Sequence, residues 1–399
     1  MELLIKDVQV IDHAQDFIGD VYIKFGKIME MGRELNKNCE VIEGRGLKLL
    51  PAFVDLHSHF REPGYTYKED IYTGSLAALK GGFTAVNLMA NTNPICSNNE
   101  VLKLVMDKSK EYDLVDIHQC VSITENLQGS EISHLDKISK DFHVKFISDD
   151  GKGVADTKVM IDAMNKAKEK NITIISHAES PELSEIDMRL AENTMTWRDI
   201  MLSKFTGAKL HLAHVSTKEA MKYIIDAKDE GTNITCEVTP HHIAFTEDYS
   251  YRVNPPLRKE EDRDFLIKAI KLGYVDAIAT DHAPHSEEDK AKGAPGMIGL
   301  ESAFMVCYTE LVKKGHIDIK ALSKIMSYNP SRIMGLNKGQ ISIGYAGDFV
   351  LVDTENKYKF DIDNIRSKSH NSPFIGYEGY GKIMATIKAG RILYRGDGV

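Results

Sequence analysis

Between residues 53 and 281 the chain repeats one pattern of hydrophobic and polar positions. A short apolar or β-branched run ends in a polar residue, and a charged, amphipathic stretch follows. Eight such runs occur, over residues 53–57, 84–89, 115–123, 143–148, 172–177, 209–215, 234–239 and 275–281. The stretches between them carry helical spacing, as at 97–112, 156–170, 217–230 and 259–272. Several close on Gly or Asn (Gly81-Gly82, Asn171, Gly207, Gly231-Thr-Asn233), residues that cap helix C-termini. Strands that read as apolar runs and alternate with helices predict an α/β protein, and eight of them predict a (β/α)8 TIM-like barrel.

The flanks read differently. Residues 1–50 alternate apolar and polar positions around Gly turns, and so does the stretch 339–399, at 340–344, 348–353 and 382–394. Both predict short antiparallel strands. Neither flank alone offers a full sheet, so the expectation is one small β domain built from both ends, with the barrel over 51–338. There is no internal repeat and no low-complexity segment.

Chemistry is concentrated where the strands end, the side on which barrel active sites form. The first run closes with Asp55-Leu-His57-Ser-His59, the second leads to Asn91, and the fourth to Asp149-Asp150. His177 closes the fifth, His214 the sixth, His241-His242 the seventh and Asp281-His282 the eighth. His57 and His59 are two apart, so in an extended segment both project to the same side and can grip one metal ion. His57, His59 and Asp281 could hold one ion and His177 and His214 a second, with a carboxylate from the fourth strand between them. Neutral nitrogen and anionic oxygen without sulfur suit Zn2+, two per chain; Mn2+, Co2+ and Fe2+ also match that ligand type. Such a pair would ionise a shared water near neutral pH, and Asp281 beside it would shuttle its proton to a leaving nitrogen. Two divalent ions outweigh Asp150, Asp281 and a hydroxide by about one positive charge, and Arg61 adds another. The expected partner is a small anionic substrate. Taken singly, each residue has an ordinary reading: Asp281 as a helix N-cap, Arg61 as a solvated loop residue, Asn91 and Asn254 as turn formers.

Composition narrows the picture. The chain has 399 residues and a formal charge of -9, so no basic footprint for nucleic acid. No apolar run approaches the ~18 residues of a membrane span. The first residues lack a signal peptide's basic and apolar regions, so a cytoplasmic enzyme is expected. Five scattered cysteines (Cys39, Cys96, Cys120, Cys236, Cys307) without a CxxC agree with a reducing compartment and leave metal binding to His and carboxylates. A homodimer is an assembly the sequence leaves open.

These residues resemble a family. His57-Ser-His59-Phe-Arg61-Glu-Pro-Gly64, Gly81-Gly-Phe-Thr84, Asn91-Thr-Asn-Pro94 and Ser148-Asp-Asp150-Gly are similar to stretches of the bacterial dihydroorotases of the amidohydrolase superfamily. So are Ala213-His214-Val-Ser-Thr217, Val253-Asn254-Pro-Pro-Leu-Arg258, Thr280-Asp281-His-Ala-Pro-His285 and Asn329-Pro-Ser-Arg332, and the likeness runs through nearly the whole chain. It implies His57 and His59 on one metal, His177 and His214 on the other, Asp150 bridging and Asp281 as the base. Arg61, Asn91 and His285 would grip a substrate carboxylate, with Asn254 lining the pocket. The implied reaction is the reversible cyclisation of N-carbamoyl-L-aspartate to L-dihydroorotate in pyrimidine biosynthesis.

Three departures stand out. Lys145 lies five residues before Asp150, where related amidohydrolases carry a carbamylated lysine bridge, so both bridging candidates coexist. The stretch between His177 and His214 is short and lacks a Gly/Pro-rich segment often found there. Ala90 replaces the usual Pro before Asn91. Residues 285–299 form a polar, Gly-containing loop that reads either as a lid over the pocket or as a solvated loop. Gln119-Cys120 and Trp197 read as structural, and His241-His242 as supporting. Rival readings are another cyclic amidohydrolase, hydantoinase- or allantoinase-like, and a metal-free scaffold for a partner enzyme such as aspartate transcarbamoylase. The full set of ligand candidates argues against the scaffold.

Overall fold

Every residue of Phe53–Ser58 and of Phe83–Leu88 is buried, as parallel strands covered on both faces require. A computed structural model describes residues 1–398 and places these two runs side by side as strands β1 (Phe53–Ser58) and β2 (Phe83–Leu88), followed by β3 (Asp116–Gln119). A second parallel sheet holds β4 (Phe146–Ile147), β5 (Thr173–Ser176), β6 (Leu210–Leu212), β7 (Ile234–Val238) and β8 (Ala277–Ile278) in sequence order. Isolated parallel bridges join the two sheets at both edges, Val121 to Ile147 and Ser58 to His282. At the second junction Asp55 of β1 accepts from the Thr280 amide at 2.9 Å and its hydroxyl at 2.6 Å, clamping β1 beside β8.

The helices between strands start at residues that satisfy free amides. Asn98, Asp156 and Thr217 cap Asn99–Tyr112, Thr157–Glu169 and Lys218–Asp229 with their side chains. Gly207 closes Met188–Thr206 in the left-handed region (φ 71), where a Cβ would be strained. Each strand run expected from the sequence overlaps an observed strand. The helices match within two residues at each end.

The two ends of the chain share a second sheet, with its own buried cluster around Ile5, Val10, Ile23, Leu49, Phe349 and Ile387. Its order is Arg391–Arg395, Lys382–Lys388, Phe349–Asp353, Lys48–Pro51, Glu2–Ile11, Asp16–Lys24 and Lys27–Gly32. The expectation of antiparallel strands holds for most pairs but not all. Glu40–Glu43 and Lys48–Pro51 both run parallel to Glu2–Ile11. Residues 33–39 carry the chain back to the start of that strand, so it must run alongside in the same direction. Residues 340–344 are not a strand either. Ile341 is buried, but its amide donates to the Asp12 carboxylate at 2.9 Å instead of entering a ladder.

Lys338 ties the two regions together, since its ammonium contacts both Asp116 on β3 and Asp348 beside the second sheet. Residues 366–371 leave that sheet and pack against the parallel strands' C-terminal side. There the Arg366 and Ser367 amides donate to Glu301, and Asn371 receives the His285 amide at 3.0 Å.

Candidate active site

The polar residues just beyond the C-terminal ends of the parallel strands converge on one buried cluster. His57 lies on β1 and His59 one residue past it; Asp150, His177, His214 and Asp281 follow β4, β5, β6 and β8. His57 Nε2 stands 3.2 Å from Asp150 Oδ1 and 3.6 Å from Asp281 Oδ1. His59 Nε2 stands 3.2 Å from the same Asp281 oxygen and 3.6 Å from Asp150 Oδ2. On the other side of Asp150, His177 Nδ1 lies 3.3 Å from Oδ1 and only 2.8 Å from His214 Nε2. Asp150 thus sits between two imidazole pairs.

Buried carboxylates fix the rings. Glu237 of β7 receives His57 Nδ1 at 2.9 Å on one oxygen and His211 Nε2 at 3.0 Å on the other. Burial works against its charge, but the His211 and His57 hydrogen bonds prevail and hold its pKa at about 2. Glu179 takes His177 Nε2 at 2.9 Å and the Asn254 amide at 2.9 Å. Burial opposes its charge too, yet the His177 contact keeps it at about 2. Each partner therefore claims the proton of one ring nitrogen and turns the other's lone pair inward.

That orientation is the test of whether the residues fit a metal. His57 Nε2 is buried and without a hydrogen-bond partner while it faces two carboxylates. His177 Nδ1 and His214 Nε2 face each other at 2.8 Å beside the same Asp150. Lone pairs opposed at 3 Å repel unless a cation lies between them, and imidazole nitrogen with carboxylate oxygen is the donor set of zinc. His57, His59 and Asp281 form one group with metal-binding geometry; His57, Asp150 and His214 form another. Burial disfavours a charged His57, but Asp150, Glu237 and Asp281 drive its pKa well above the ordinary histidine value. The cluster calls for positive charge at its centre.

Arg61, His214 and Asp281 all adopt positive φ (59, 32 and 46), a conformation non-glycine residues rarely take. Strain of about 1–3 kcal/mol at each persists only where the surroundings dictate it, and it gathers at functional sites.

Around the cluster, Arg61 Nη2 lies 3.3 Å from His285 Nε2, and Lys68 Nζ 3.4 Å from His285 Nδ1. Burial, then Arg61 and Lys68, push the His285 pKa down to about 3, so the ring is neutral between two cations. Asn91 touches the cluster itself. Its amide spans His59 Nδ1 at 2.9 Å and Asp150 Oδ2 at 3.0 Å, supporting two cluster residues. Lys145 stands apart, lining a separate cavity of about 480 Å3 with His143, Lys166 and Lys170. Asp149, paired with Asp150 in sequence, holds the Ile123 and Thr124 amides at 2.7 and 3.0 Å.

His242 bonds Thr239 Oγ1 and the Pro255 carbonyl, while both nitrogens of buried His241 lack partners. The 285–299 loop is tied down. Its helix Glu287–Ala291 is capped by Ser286, and Lys290 donates to the carbonyls of Arg252, Ala294 and Gly296. The sequence reading missed Glu237, Glu179 and Lys68. Glu237 had a signal, as a lone acid in an otherwise apolar strand.

The arrangement can be compared with known proteins. Residues 49–393 match the model of the amidohydrolase family. A dihydroorotase of Clostridium botulinum (strain Eklund 17B) is 56% identical over 397 residues, spanning 99% of this chain and 100% of that protein. The chain belongs to the amidohydrolase family and, within it, to the dihydroorotases. A dihydroorotase of Aquifex aeolicus is 37% identical over 422 residues, spanning 99% of this chain and 100% of that one. Among solved structures, the L-hydantoinase (dihydropyrimidinase) of Arthrobacter aurescens superposes with a TM-score of 0.90 at 21% identity, over 98% of this chain and 96% of that one. The dihydropyrimidinase of Brevibacillus agri gives 0.88 at 22%, over 99% and 95%. This amidohydrolase shares their fold. Among the described residues, no helix is long and apolar enough to cross a membrane.

Proposed function

We propose that this amidohydrolase interconverts L-dihydroorotate and N-carbamoyl-L-aspartate in de novo pyrimidine biosynthesis. The observation that carries the reading is full-length similarity to dihydroorotases at 56% identity. It is supported by the convergence of His57, His59, Asp150, His177, His214 and Asp281 near the cationic side chains of Arg61 and Lys68.

In this reading His57 and His59 would hold one Zn2+ and His177 and His214 a second, with Asp150 the carboxylate shared between the two pairs. Bound there, the ions would supply a water ionised near neutral pH and polarise the amide carbonyl. Asp281 takes the proton of the attacking water on its free oxygen and returns it to the ring nitrogen as the amide opens; in the reverse direction it does the opposite. Arg61 and His285 bind the substrate carboxylate. Arg61 offers the bidentate fork a carboxylate matches, and the neutral His285 donates one hydrogen bond. Asn91 braces His59 and Asp150, and Asn254 with Glu179 shapes the wall beside His177. Simple hydantoins lack the carboxylate, so the Arg61 guanidinium favours the dihydroorotate reading over the hydantoinase one.

The same reading closes β1 to β8 into a (β/α)8 barrel through the Val121–Ile147 and Ser58–His282 bridges, with residues 51–338 as the barrel and 1–50 with 339–399 as the composite domain. Five free cysteines suit the cytoplasm.

The test is turnover of dihydroorotate, hydantoin and allantoin side by side, with metal content measured on the same preparation. Activity on dihydroorotate that chelation removes and Zn2+ restores is expected. Activity on hydantoin or allantoin alone would overturn the substrate, and a metal-free protein inert after Zn2+ addition would overturn the enzyme.

A further inference from the structure

The connection from β3 to β4 differs from the others. A helix of 10 to 19 residues follows each of β1, β2, β4, β5, β6 and β7. Among the described residues between β3 and β4 there are only three short turns, Glu125–Leu127, Ser133–Asp136 and Lys140–Phe142. Turns cover less of a strand than a helix does. Beneath them, against β4 and the helix Thr157–Glu169, lies the cavity of about 480 Å3 beside Lys145. That volume is within the about 300–1,000 Å3 of small-molecule sites.

The lining divides into two kinds. Val121, Leu135, Ile138, Val144, Ile147 and Ile172 make an aliphatic wall. Lys140, Lys145, Lys166 and Lys170 supply positive charge, and Glu169 is the one acid in the lining. Lys166 is engaged, 2.9 Å from Asp136 and 3.3 Å from Glu169, and Lys170 lies 3.9 Å from the same Asp136. Lys140 and Lys145 have neither an ion pair nor a hydrogen-bond partner for their ammonium groups among the described residues. Lys145 is half-buried, where an ammonium without a counter-charge is costly. Four lysines facing Asp136 and Glu169 leave two positive charges unanswered.

We infer that this cavity binds a phosphate monoester of a compact, apolar alcohol. Such a ligand carries close to two negative charges on one group at neutral pH, the charge that Lys140 and Lys145 lack. Its carbon body displaces water from the aliphatic wall. A monocarboxylate answers only one of the two lysines, and inorganic phosphate leaves the wall wet. Glu169 is tied to Lys166 and the lining holds no second acid and no thiol, so the cavity is equipped to hold an anion and not to transform it. It lies apart from the metal cluster: Lys145 precedes β4, whereas Asp150 follows it. The inference therefore does not depend on the catalytic reading.

Calorimetric titration of the full-length, Zn2+-loaded protein with phenyl phosphate tests it. Saturable binding is expected, at least about tenfold tighter than that of inorganic phosphate, and equally strong in Arg61→Met. Lys140→Gln with Lys145→Gln should weaken it about 10- to 100-fold with unchanged melting. Lys140→Arg with Lys145→Arg keeps both charges and should keep the affinity. No saturable binding at millimolar phenyl phosphate would overturn the proposal, as would binding no tighter than that of inorganic phosphate. An affinity that falls in Arg61→Met and survives the glutamine pair would place the phosphate at the metal cluster and overturn it too.

Discussion

Glu237 Oε1 lies 2.9 Å from His57 Nδ1, and neither side chain is reached by solvent. The contact decides which nitrogen of His57 keeps its proton and so aims the other at Asp150 and Asp281. Glu237→Gln retains the size and one acceptor but loses the charge that holds that proton. The expected outcome is a fall of about 10- to 100-fold in activity or metal affinity with the fold retained. Metal content and kcat measured across added Zn2+ check it. If both match the wild type, the carboxylate is not setting the ring.

Asp281, like Asp150, touches both His57 and His59, and one of its oxygens makes both contacts. Burial opposes its charge, but the close contact with His59, with His57 behind it, keeps the carboxyl well below its ordinary pKa. It is therefore ionised throughout the physiological range, the state a proton acceptor must start from. Asp281→Asn should keep melting behaviour within a few degrees and lower kcat by about a hundred- to ten-thousandfold at saturating metal. Near wild-type turnover with a core-like loss of stability would contradict the base assignment.

How far the sequence reveals this site depends on the kind of burden each residue bears. His57 and His59 stand out because two imidazoles at that spacing on a buried strand have few other uses, and apolar runs bounded by caps mark the parallel strands. Glu237 and Glu179 are harder to assign, since a buried acid announces that it has a partner without saying which one. Glu237 finds His57 at a separation of 180 residues. The parallel pairing of Glu40–Glu43 with Glu2–Ile11 is hidden for another reason. Alternation of apolar and polar residues fixes the face of a strand, not the direction of its neighbour. The path of 366–371 across the active-site side depends on polar contacts to Glu301 and Glu69, which leave no periodic trace.

Arg61 is mostly withdrawn from water and is anchored by donation from Nε to the Pro284 carbonyl at 3.2 Å, which leaves the outer nitrogens to face His285 and an incoming anion. Arg61→Met keeps much of the stem's packing and removes the fork. The expected loss is about 2–3 kcal/mol in substrate binding, an increase in KM of roughly 30- to 150-fold, with a smaller change in kcat. Steady-state kinetics on dihydroorotate separate the two. A drop confined to kcat would move Arg61 from holding the carboxylate to the chemical step.

His118 on β3 provides a pH dependence independent of the metal cluster. Burial, with Lys145 and Lys338 nearby, lowers its pKa to about 4 against the opposing pull of Asp116. The unfolded chain takes up this proton near pH 6.5, while the folded protein refuses it until about pH 4. The unfolded state therefore binds more protons across that window, and stability falls as the pH drops through it, by up to about 1.4 kcal/mol per pH unit from this residue. Above pH 6.5 both states are neutral and the contribution is flat. His118→Asn removes the titration, so its urea midpoint should decline less steeply between pH 6.5 and 4 than the wild type's. Parallel curves for the two proteins over that range would mean that the ring takes up its proton in the fold as readily as in the unfolded chain.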